Sequence, residues 1–297
     1  MSFSTQVKGE LCRAPLSRKC CAQAEAYGVL LYCSLSTPAE VRITTESPEF
    51  AGRLPQLFQK AFQLRFDRLP PEGAAKHIFS ITDSDKLSAL WSVFGHDPAE
   101  TLAHHINFAV LEEDHCRSAF LRGAFLAGGS VTDPAKRYHL ELATSHQSVS
   151  RELHALLLEM GFSPKESHRK ANAITYFKQS NAIEDFLTAM GAPLAAMELM
   201  NAKAEKDLRG SINRRVNCDA ANLDKAVDAA QGQIEAIYRL EERGMLDELP
   251  DKLKEAVDLR MAHPELTLTQ LAELCDPPVS KSAFNHRLRK LMSLANQ

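Results

Sequence analysis

The chain has 297 residues, 44% of them hydrophobic and 25% charged, and a formal net charge of −3 at pH 7. This composition excludes the disordered and fibrous classes and predicts a globular protein long enough for two domains, which binds a polyanion only through local clusters of Lys and Arg. No run approaches the roughly 18 apolar residues that span a bilayer, and the N-terminus lacks the apolar stretch of a signal peptide, so we expect a cytoplasmic protein without membrane contact.

Residues 1–199 contain the same pattern twice, at a nearly constant offset. Gly28 in AEAYGVLLYCS corresponds to Gly123 in FLRGAFLAGGS, an offset of 95 residues. The strand-like segments VRITTES and YHLELATS are offset by 99, and HIFSITDSDKLSALWSVFG and AITYFKQSNAIEDFLTAMG by 96. The sequence predicts an α+β domain made of two repeats, about 1–96 and 97–199, each with the order helix, strands, helix, strands, helix.

Small residues recur on the leading helix of each repeat. Ala24 and Gly28, and likewise Gly123 and Ala127, lie one turn apart on a single helix face. For one helix alone, ordinary core packing explains this pattern, but its duplication favours two helices whose backbones pack very closely. Within the first repeat, Ser47-Pro48-Glu49 predicts a helix start, with a Ser cap, Pro in the first turn and an acid near the positive end of the helix dipole.

The chain becomes polar and charged from Ala202 onward, in AKAEKDLRGSINRRVNCDAANLDKAV. We predict a linker at 200–217, followed by an all-α domain at 218–297. Within the linker, Asn213-Arg214-Arg215 and Asn217 have side chains that contact phosphates and base edges, although they are equally suited to cap a helix after Ala220. We favour DNA contact, because the linker lies between two candidate DNA-facing parts.

Residues 266–297 have the order of a helix-turn-helix module. A capping box of Thr267 and Gln270 begins a short helix, Asp276-Pro277-Pro278 breaks the chain, and a last helix begins at Ser280. In that helix, apolar residues recur at i, i+4 and i+7 and predict the inward stripe, namely Phe284, Leu288 and Leu291.

Residues 281–297 contain four cations and no acid, in a chain that is acidic overall. Arg and Asn side chains suit base edges, and Ser and Lys suit phosphates. A basic helix that merely packs on its neighbours is the alternative, but helix order, break length and charge together favour DNA binding. The predicted DNA-binding residues are Ser280, Lys281, Ser282, Asn285, His286, Arg287, Arg289 and Lys290, with Asn213, Arg214 and Arg215.

Three long segments, RSAFLRGAFLAGGSV, NRRVNCDAANLDKAV and DPPVSKSAFNHRLRK, occur in this order, and the chain resembles the WhiA family over essentially its whole length. KCCAQAEAYGVL is also similar to the opening helix of that family. The resemblance implies a degenerate N-terminal domain like the LAGLIDADG homing endonucleases, followed by a C-terminal helix-turn-helix. It also implies a bacterial, nucleoid-associated regulator of transcription linked to sporulation, cell division or chromosome segregation.

In LAGLIDADG nucleases, the residue before the closing glycine of each core helix is a carboxylate that holds the catalytic metal. Carried onto this chain, the two positions fall on Cys33 and Gly128, and neither supplies the oxygen ligands that Mg²⁺ prefers. We therefore expect a protein that is not an enzyme. The alternative is an active endonuclease that uses replacement carboxylates, of which Asp133 and Glu141 are nearest, although Asp133-Pro134 is typical of a turn.

The expected partner is double-stranded DNA. The segments VRITTES and YHLELATS are not rich in Lys or Arg. This favours a second role for the N-terminal domain, as a surface that binds other regulatory or division proteins.

The seven cysteines form an odd set without CxxC spacing, which predicts reduced thiols: Cys12, Cys20, Cys21, Cys33, Cys116, Cys218 and Cys275. Cys20-Cys21, His104-His105 and His115-Cys116 invite a metal hypothesis. Adjacent residues, however, cannot both point at one ion as easily as CxxC or HxxxH pairs. The sequence therefore predicts structural or surface roles for these residues, with no metal site and no cofactor.

Overall fold

The computed structural model of the protein describes residues 2–96 and 104–297. The chain divides into two compact units, Met1–Asp207 and Leu208–Gln297. Among the helices of the described ranges, none combines the length and the apolar character needed to cross a membrane.

The first unit contains the two predicted repeats, and its α+β architecture is confirmed. The first repeat consists of α1 (Phe3–Cys12), α2 (Lys19–Tyr32), β1 (Leu35–Ser36), β2 (Val41–Thr45), α3 (Pro48–Phe62), β3 (His77–Ile81) and α4 (Ser84–Ser92). The second consists of α5 (Asp114–Gly128), β4 (Gly129–Val131), β5 (Leu140–Thr144), α6 (Gln147–Glu159), β6 (Lys165–Arg169), β7 (Asn172–Phe177) and α7 (Ser180–Met190). Part of the predicted junction near residue 97 lies outside the described residues.

Each repeat forms its own antiparallel sheet, with strand orders β1-β2-β3 and β4-β5-β7-β6. The registers are equivalent: Ile43 lies opposite Phe79 in the first sheet, and Leu142 lies opposite Thr175 in the second. These pairs differ by 99 and 96 residues, the two offsets read from the sequence. The second sheet has an additional edge strand, β6, whereas at that edge the described residues of the first repeat form an isolated bridge from Arg68 to β3.

The predicted start of α3 is confirmed. Ser47 is its N-cap, and the Ser47 hydroxyl accepts a hydrogen bond from the backbone N–H of Phe50, while Pro48 occupies the first turn and Glu49 lies near the N-terminus. The last helices of both repeats also end alike, because Gly95 and Gly191 adopt positive φ angles of 71° and 97°. Glycine has no Cβ and adopts positive φ at the least cost, which explains why glycine suits both positions.

Helices α2 and α5 are in direct backbone contact, as the small residues predicted. A Cβ atom built on Gly28 would lie 2.2 Å from the carbonyl oxygen of Phe120, and one built on Gly123 would lie 1.9 Å from that of Glu25. No side chain fits at either glycine. The helix pair therefore forms the centre of the first unit, and the core extends from it to the two sheets and to α3.

A 50-residue helix, α8 (Pro193–Glu242), follows α7 and contains the unit boundary. The segment 200–217, expected as a linker, is helical throughout, because its polar side chains are those of an exposed helix and it contains no Pro to interrupt it. The alternative of a helix that starts after Ala220 is excluded, since that residue lies in the interior of α8.

The second unit is all-α. After α8 come α9 (Asp251–Ala262), α10 (Leu268–Glu273) and α11 (Lys281–Ala295), which pack around a small core with the C-terminal part of α8. The capping box at Thr267 and Gln270 is present, and Ser280 caps α11 by accepting a hydrogen bond from the N–H of Ala283. The helix-turn-helix architecture is confirmed.

Candidate nucleic-acid interface and the central helix pair

Helix α11 buries one face and exposes the other. Phe284, Leu288 and Leu291 are each at most 1% exposed, as the i, i+4, i+7 pattern predicted. Burial of three such side chains contributes roughly 1.5 to 3 kcal/mol each, which fixes the rotation of the helix about its axis. The opposite face, which carries most of the predicted binding residues, is left to solvent.

Glu255 on α9 sets the position of α11. One carboxylate oxygen accepts the backbone N–H of Asp276 at 2.8 Å, in the turn between α10 and α11, and the other accepts Nη1 of Arg287 at 2.7 Å. The N–H of Asp276 and the charge of Arg287 together hold the pKa of Glu255 below its ordinary value. One side chain thus fixes both the turn and the helix that follows it.

The structure places the predicted residues of α11 in two groups. Within residues 2–96 and 104–297, no carboxylate lies within ion-pair distance of the cations at positions 281, 289 and 290. Arg287 is different: its side chain is only 14% exposed and is bound to Glu255, so its guanidinium holds the fold and we remove it from the binding surface. Asn285 is half-buried. The other six predicted residues are exposed, namely Ser280, Lys281, Ser282, His286, Arg289 and Lys290.

Asn213, Arg214 and Arg215 are exposed on α8, within the second unit. They lie in the middle of a continuous helix, so the capping role is excluded by its geometry. Their side chains remain available for a partner, and contact with DNA stays a prediction.

The two positions that hold metal in the nucleases lie at the C-terminal ends of α2 and α5. The Cys33 thiol donates to the carbonyl oxygens of Leu30 and Leu35, and burial raises its pKa to about 12. A Cβ atom on Gly128 would lie 2.5 Å from the carbonyl oxygen of Ala143 and 3.0 Å from the ring of Tyr32. The first position holds a neutral thiol, and the second has no room for a carboxylate.

The two nearest acids already have structural partners. The Asp133 carboxylate accepts the N–H of Ala135 at 2.8 Å, in the turn predicted from Asp133-Pro134. Burial raises the pKa of Glu141, but hydrogen bonds from Arg169 and His139 outweigh this and hold it below its ordinary value. Both carboxylates therefore accept hydrogen bonds within the fold.

A polar cleft of about 520 Å³ lies beside the last turn of α5. Its lining includes Lys8 and Lys76 but, among the described lining residues, only one acid, Glu46. Burial lowers the pKa of Lys8 to about 8, and its ammonium donates to the carbonyl oxygen of Leu126 at 3.1 Å. This donor set is unsuited to the paired Mg²⁺ ions of phosphodiester cleavage.

Arginines on the sheets of the first unit are paired with acids. Arg42 on β2 binds Glu40 at 2.8 Å, and Arg169 on β6 binds Glu141 on β5 through both terminal nitrogens. These pairs neutralise charge that would otherwise attract phosphate. The sheets therefore offer less free positive charge than α11.

One cluster departs from the sequence prediction. The ligand atoms of Cys20, Cys21, His115 and Cys116 all lie within 4.8 Å of one another, although adjacency in the chain argued against a shared site. The two pairs come from different helices, α2 and α5, which removes that objection. The available signal was the offset: Cys20 to His115 and Cys21 to Cys116 are each 95 residues, as for Gly28 to Gly123.

His104 and His105, the other histidines of the metal hypothesis, have other partners. His104 Nε2 lies 3.0 Å from the carbonyl oxygen of Ser36, and its ring stacks on Trp91 at 4.7 Å. His105 Nδ1 lies 2.6 Å from Glu152. They do not join the cluster of thiols.

Comparisons with known proteins agree with both units. A family model described as the WhiA LAGLIDADG-like domain matches residues 117–209, and one described as the WhiA C-terminal HTH domain matches residues 212–295. Two relatives named probable cell division protein WhiA, from Ruminiclostridium cellulolyticum and Alkaliphilus metalliredigens, are 37% and 34% identical. Each alignment covers 100% of this chain and 98% of the relative.

Two solved structures share the fold. The crystal structure of full-length DUF199/WhiA from Thermotoga maritima has a TM-score of 0.61 at 22% identity, covering 100% of this chain and 98% of that one. The N-terminal LAGLIDADG domain of DUF199/WhiA has a TM-score of 0.51 at 21% identity, covering 64% of this chain and 92% of that one.

Proposed function

Because this chain belongs to the WhiA family, we propose that it is a regulatory protein that binds double-stranded DNA through α11 and has no nuclease activity. The observation that carries this proposal is the set of exposed α11 cations at positions 281, 289 and 290, which have no carboxylate within ion-pair distance in residues 2–96 and 104–297. Arg289 and Lys290 lie on the side of α11 away from its buried stripe, and Lys281 lies in its first turn. A helix with this geometry and charge fits the major groove. The proposed roles are transcription regulation and chromosome segregation at the nucleoid, linked to cell division or sporulation.

The side-chain chemistry of α11 indicates which of its residues would contact phosphates and which would contact bases. Ser280, Lys281 and Ser282 lie at the N-terminus of the helix, where the helix dipole and a Lys side chain both favour phosphate. Asn285 and Arg289, one turn apart on the same face, are suited to adenine and guanine edges. We include Asn213, Arg214 and Arg215 as additional DNA contacts from α8.

The first unit is proposed as a binding platform for regulatory or division proteins. Support comes from the neutral thiol of Cys33, from the crowded Gly128, and from sheet arginines that are already paired with acids. The domain organisation that we propose is therefore a LAGLIDADG-like platform followed by a separate DNA-binding unit.

The test measures the affinity of the full chain for random-sequence duplex DNA by fluorescence anisotropy at increasing salt. Affinity should fall with a log-log slope of about −0.9 per neutralised phosphate. Replacing Lys281, Arg289 and Lys290 together with Ala should reduce both the affinity and the slope. An exposed cation on α9 gives the matched control, since Lys252→Ala should change neither.

Base reading is tested on a duplex enriched from a random library. On that duplex, Arg289→Ala and Asn285→Ala should each cost about 1 to 3 kcal/mol. Binding that is insensitive to salt, or unaffected by the triple replacement, would contradict the assignment to α11. If cleavage products accumulate when the library is incubated with Mg²⁺, this would instead support a nuclease with replacement carboxylates. Immunoprecipitation followed by sequencing would locate the regulated genes.

A further inference from the structure

We propose that Cys20, Cys21, His115 and Cys116 form a structural zinc site that joins the N-terminal ends of α2 and α5. The Nδ1 atom of His115 lies 3.6 Å from Sγ of Cys21 and 3.2 Å from Sγ of Cys116, and all four ligand atoms lie within 4.8 Å of one another. A tetrahedral zinc ion with Zn–S of about 2.3 Å and Zn–N of about 2.0 Å needs ligand atoms roughly 3.5 to 3.8 Å apart. Small side-chain adjustments bring the cluster to that geometry.

The ligand types select the metal class. Three thiols and one imidazole make a Cys₃His set, which is a known structural zinc type, and soft thiolates disfavour Mg²⁺ and Ca²⁺. All four protein ligands together complete the tetrahedron and leave no open position for a substrate. The chemistry is therefore that of a structural site.

The duplication explains how adjacent residues share one ion. Cys20 and Cys21 occupy the first turn of α2, and His115 and Cys116 the equivalent first turn of α5, at the offset of 95 residues that relates Gly28 to Gly123. The helices touch along the glycine face, so their first turns face each other around a common point. Each helix contributes a neighbouring pair, and the two pairs surround that point.

The local electrostatics suit thiolates once a cation is bound. A coordinated thiol is deprotonated outright by a divalent cation, so the three cysteines would bind as thiolates. Two helix N-termini and the nearby cation Arg18 offset the negative charge of a Zn(Cys)₃His centre.

The proposed site lies at the opposite end of the helix pair from Cys33 and Gly128. Cys20 and Cys33 lie at opposite ends of α2, 13 residues apart, which is about 20 Å along a helix axis. Zinc at the N-terminal ends would hold together the two helices whose C-terminal ends have lost their carboxylates. Because zinc binds the folded chain and bridges both repeats, its removal should lower the melting temperature of the first unit.

Metal analysis of the full chain, purified from zinc-supplemented medium, tests the site. We expect one zinc ion per chain in the wild type and in Cys218→Ser and Cys275→Ser, and a loss of at least tenfold in zinc content in Cys20→Ser and Cys116→Ser. The controls are matched, because Cys20 and Cys218 are exposed whereas Cys116 and Cys275 are buried. Substitution with Co²⁺ should give the intense visible bands of a tetrahedral thiolate complex, absent in Cys20→Ser.

Folding is checked separately by the fluorescence of Trp91, the single tryptophan, which lies in the first unit. A zinc chelator should lower the melting temperature of the wild type and leave that of Cys20→Ser unchanged. The proposal would be overturned by a folded wild type that lacks zinc and gives no cobalt bands, or by undiminished zinc in both ligand variants. A disulfide within the cluster under reducing conditions would also overturn it.

Discussion

The central helix pair and the terminal helix α11 use their surfaces in opposite ways. Helix α5 is buried on almost all sides, and its glycine face lies against the backbone of α2. Helix α11 buries a single stripe and exposes Lys281, Arg289 and Lys290, whereas Arg287 is bound to Glu255. The LAGLIDADG-like scaffold thus keeps its packing although its metal carboxylates are gone, whereas the surface available for binding is the one that packing does not use.

The largest loss of stability is expected from a substitution at the backbone contact between α2 and α5. Gly123→Val should destabilise the first unit by at least about 3 kcal/mol, because the carbonyl of Glu25 cannot move aside as a flexible side chain would. Denaturant unfolding followed by Trp91 fluorescence measures the loss. Gly52 in α3 is the matched control: a Cβ there meets nothing within 4 Å, so Gly52→Ala should be neutral or stabilising by up to about 1 kcal/mol. Equal stability of the two variants would break the contrast between packed and free surfaces.

The buried charge of the helix pair should have the next largest effect. Glu25 is fully buried, and its carboxylate accepts hydrogen bonds from Arg53 at 2.5 and 2.9 Å and from Arg122 at 2.9 Å. Glu25→Gln leaves two arginines without their counter-charge and should cost about 3 to 5 kcal/mol. The exposed pair of Arg42 with Glu40 is the control, and Glu40→Gln should cost less than about 1 kcal/mol in the same unfolding experiment.

Features that repeat or alternate along the chain were predictable from the sequence. The offset between repeats predicted which strand segments correspond, and the apolar spacing predicted the inward stripe of α11, because each depends on a pattern that recurs along the chain. The helical structure of segment 200–217 was harder to predict, because a polar composition is typical of an exposed helix as well as of a loop. Continuity of α8 depends on the absence of a helix breaker more than on hydrophobic pattern.

Contacts between distant residues were not predictable in the same way. Arg287 looked like its basic neighbours, and only the fold shows Glu255, 32 residues earlier, bound to it. The thiol cluster was also missed, because adjacent residues were considered within one helix and not across the pair. The same offset that predicted the repeats would have paired Cys21 with Cys116.

A smaller effect on stability is expected from pH, because the first unit contains buried histidines. Burial, and then the nearby charge of His104, lowers the pKa of His146 to about 4, and burial also lowers the pKa values of His96 and His104. The unfolded chain, with histidine pKa values near 6.5, takes up these protons first, so their contribution to stability is complete above about pH 6.5 and is lost as pH falls toward 4.

Between pH 6.5 and 5, before most carboxylates titrate, the melting temperature reported by Trp91 should fall by several degrees. The fall should be smaller in His146→Gln, because glutamine stays neutral in both the folded and unfolded chain. His286 on α11 is the control, since its ring is exposed and lies in the second unit, and His286→Gln should leave the fall unchanged. A melting temperature that is equally pH-dependent in His146→Gln and the wild type would show that the buried histidines do not set this difference, and the contrast between the units would then rest on packing alone.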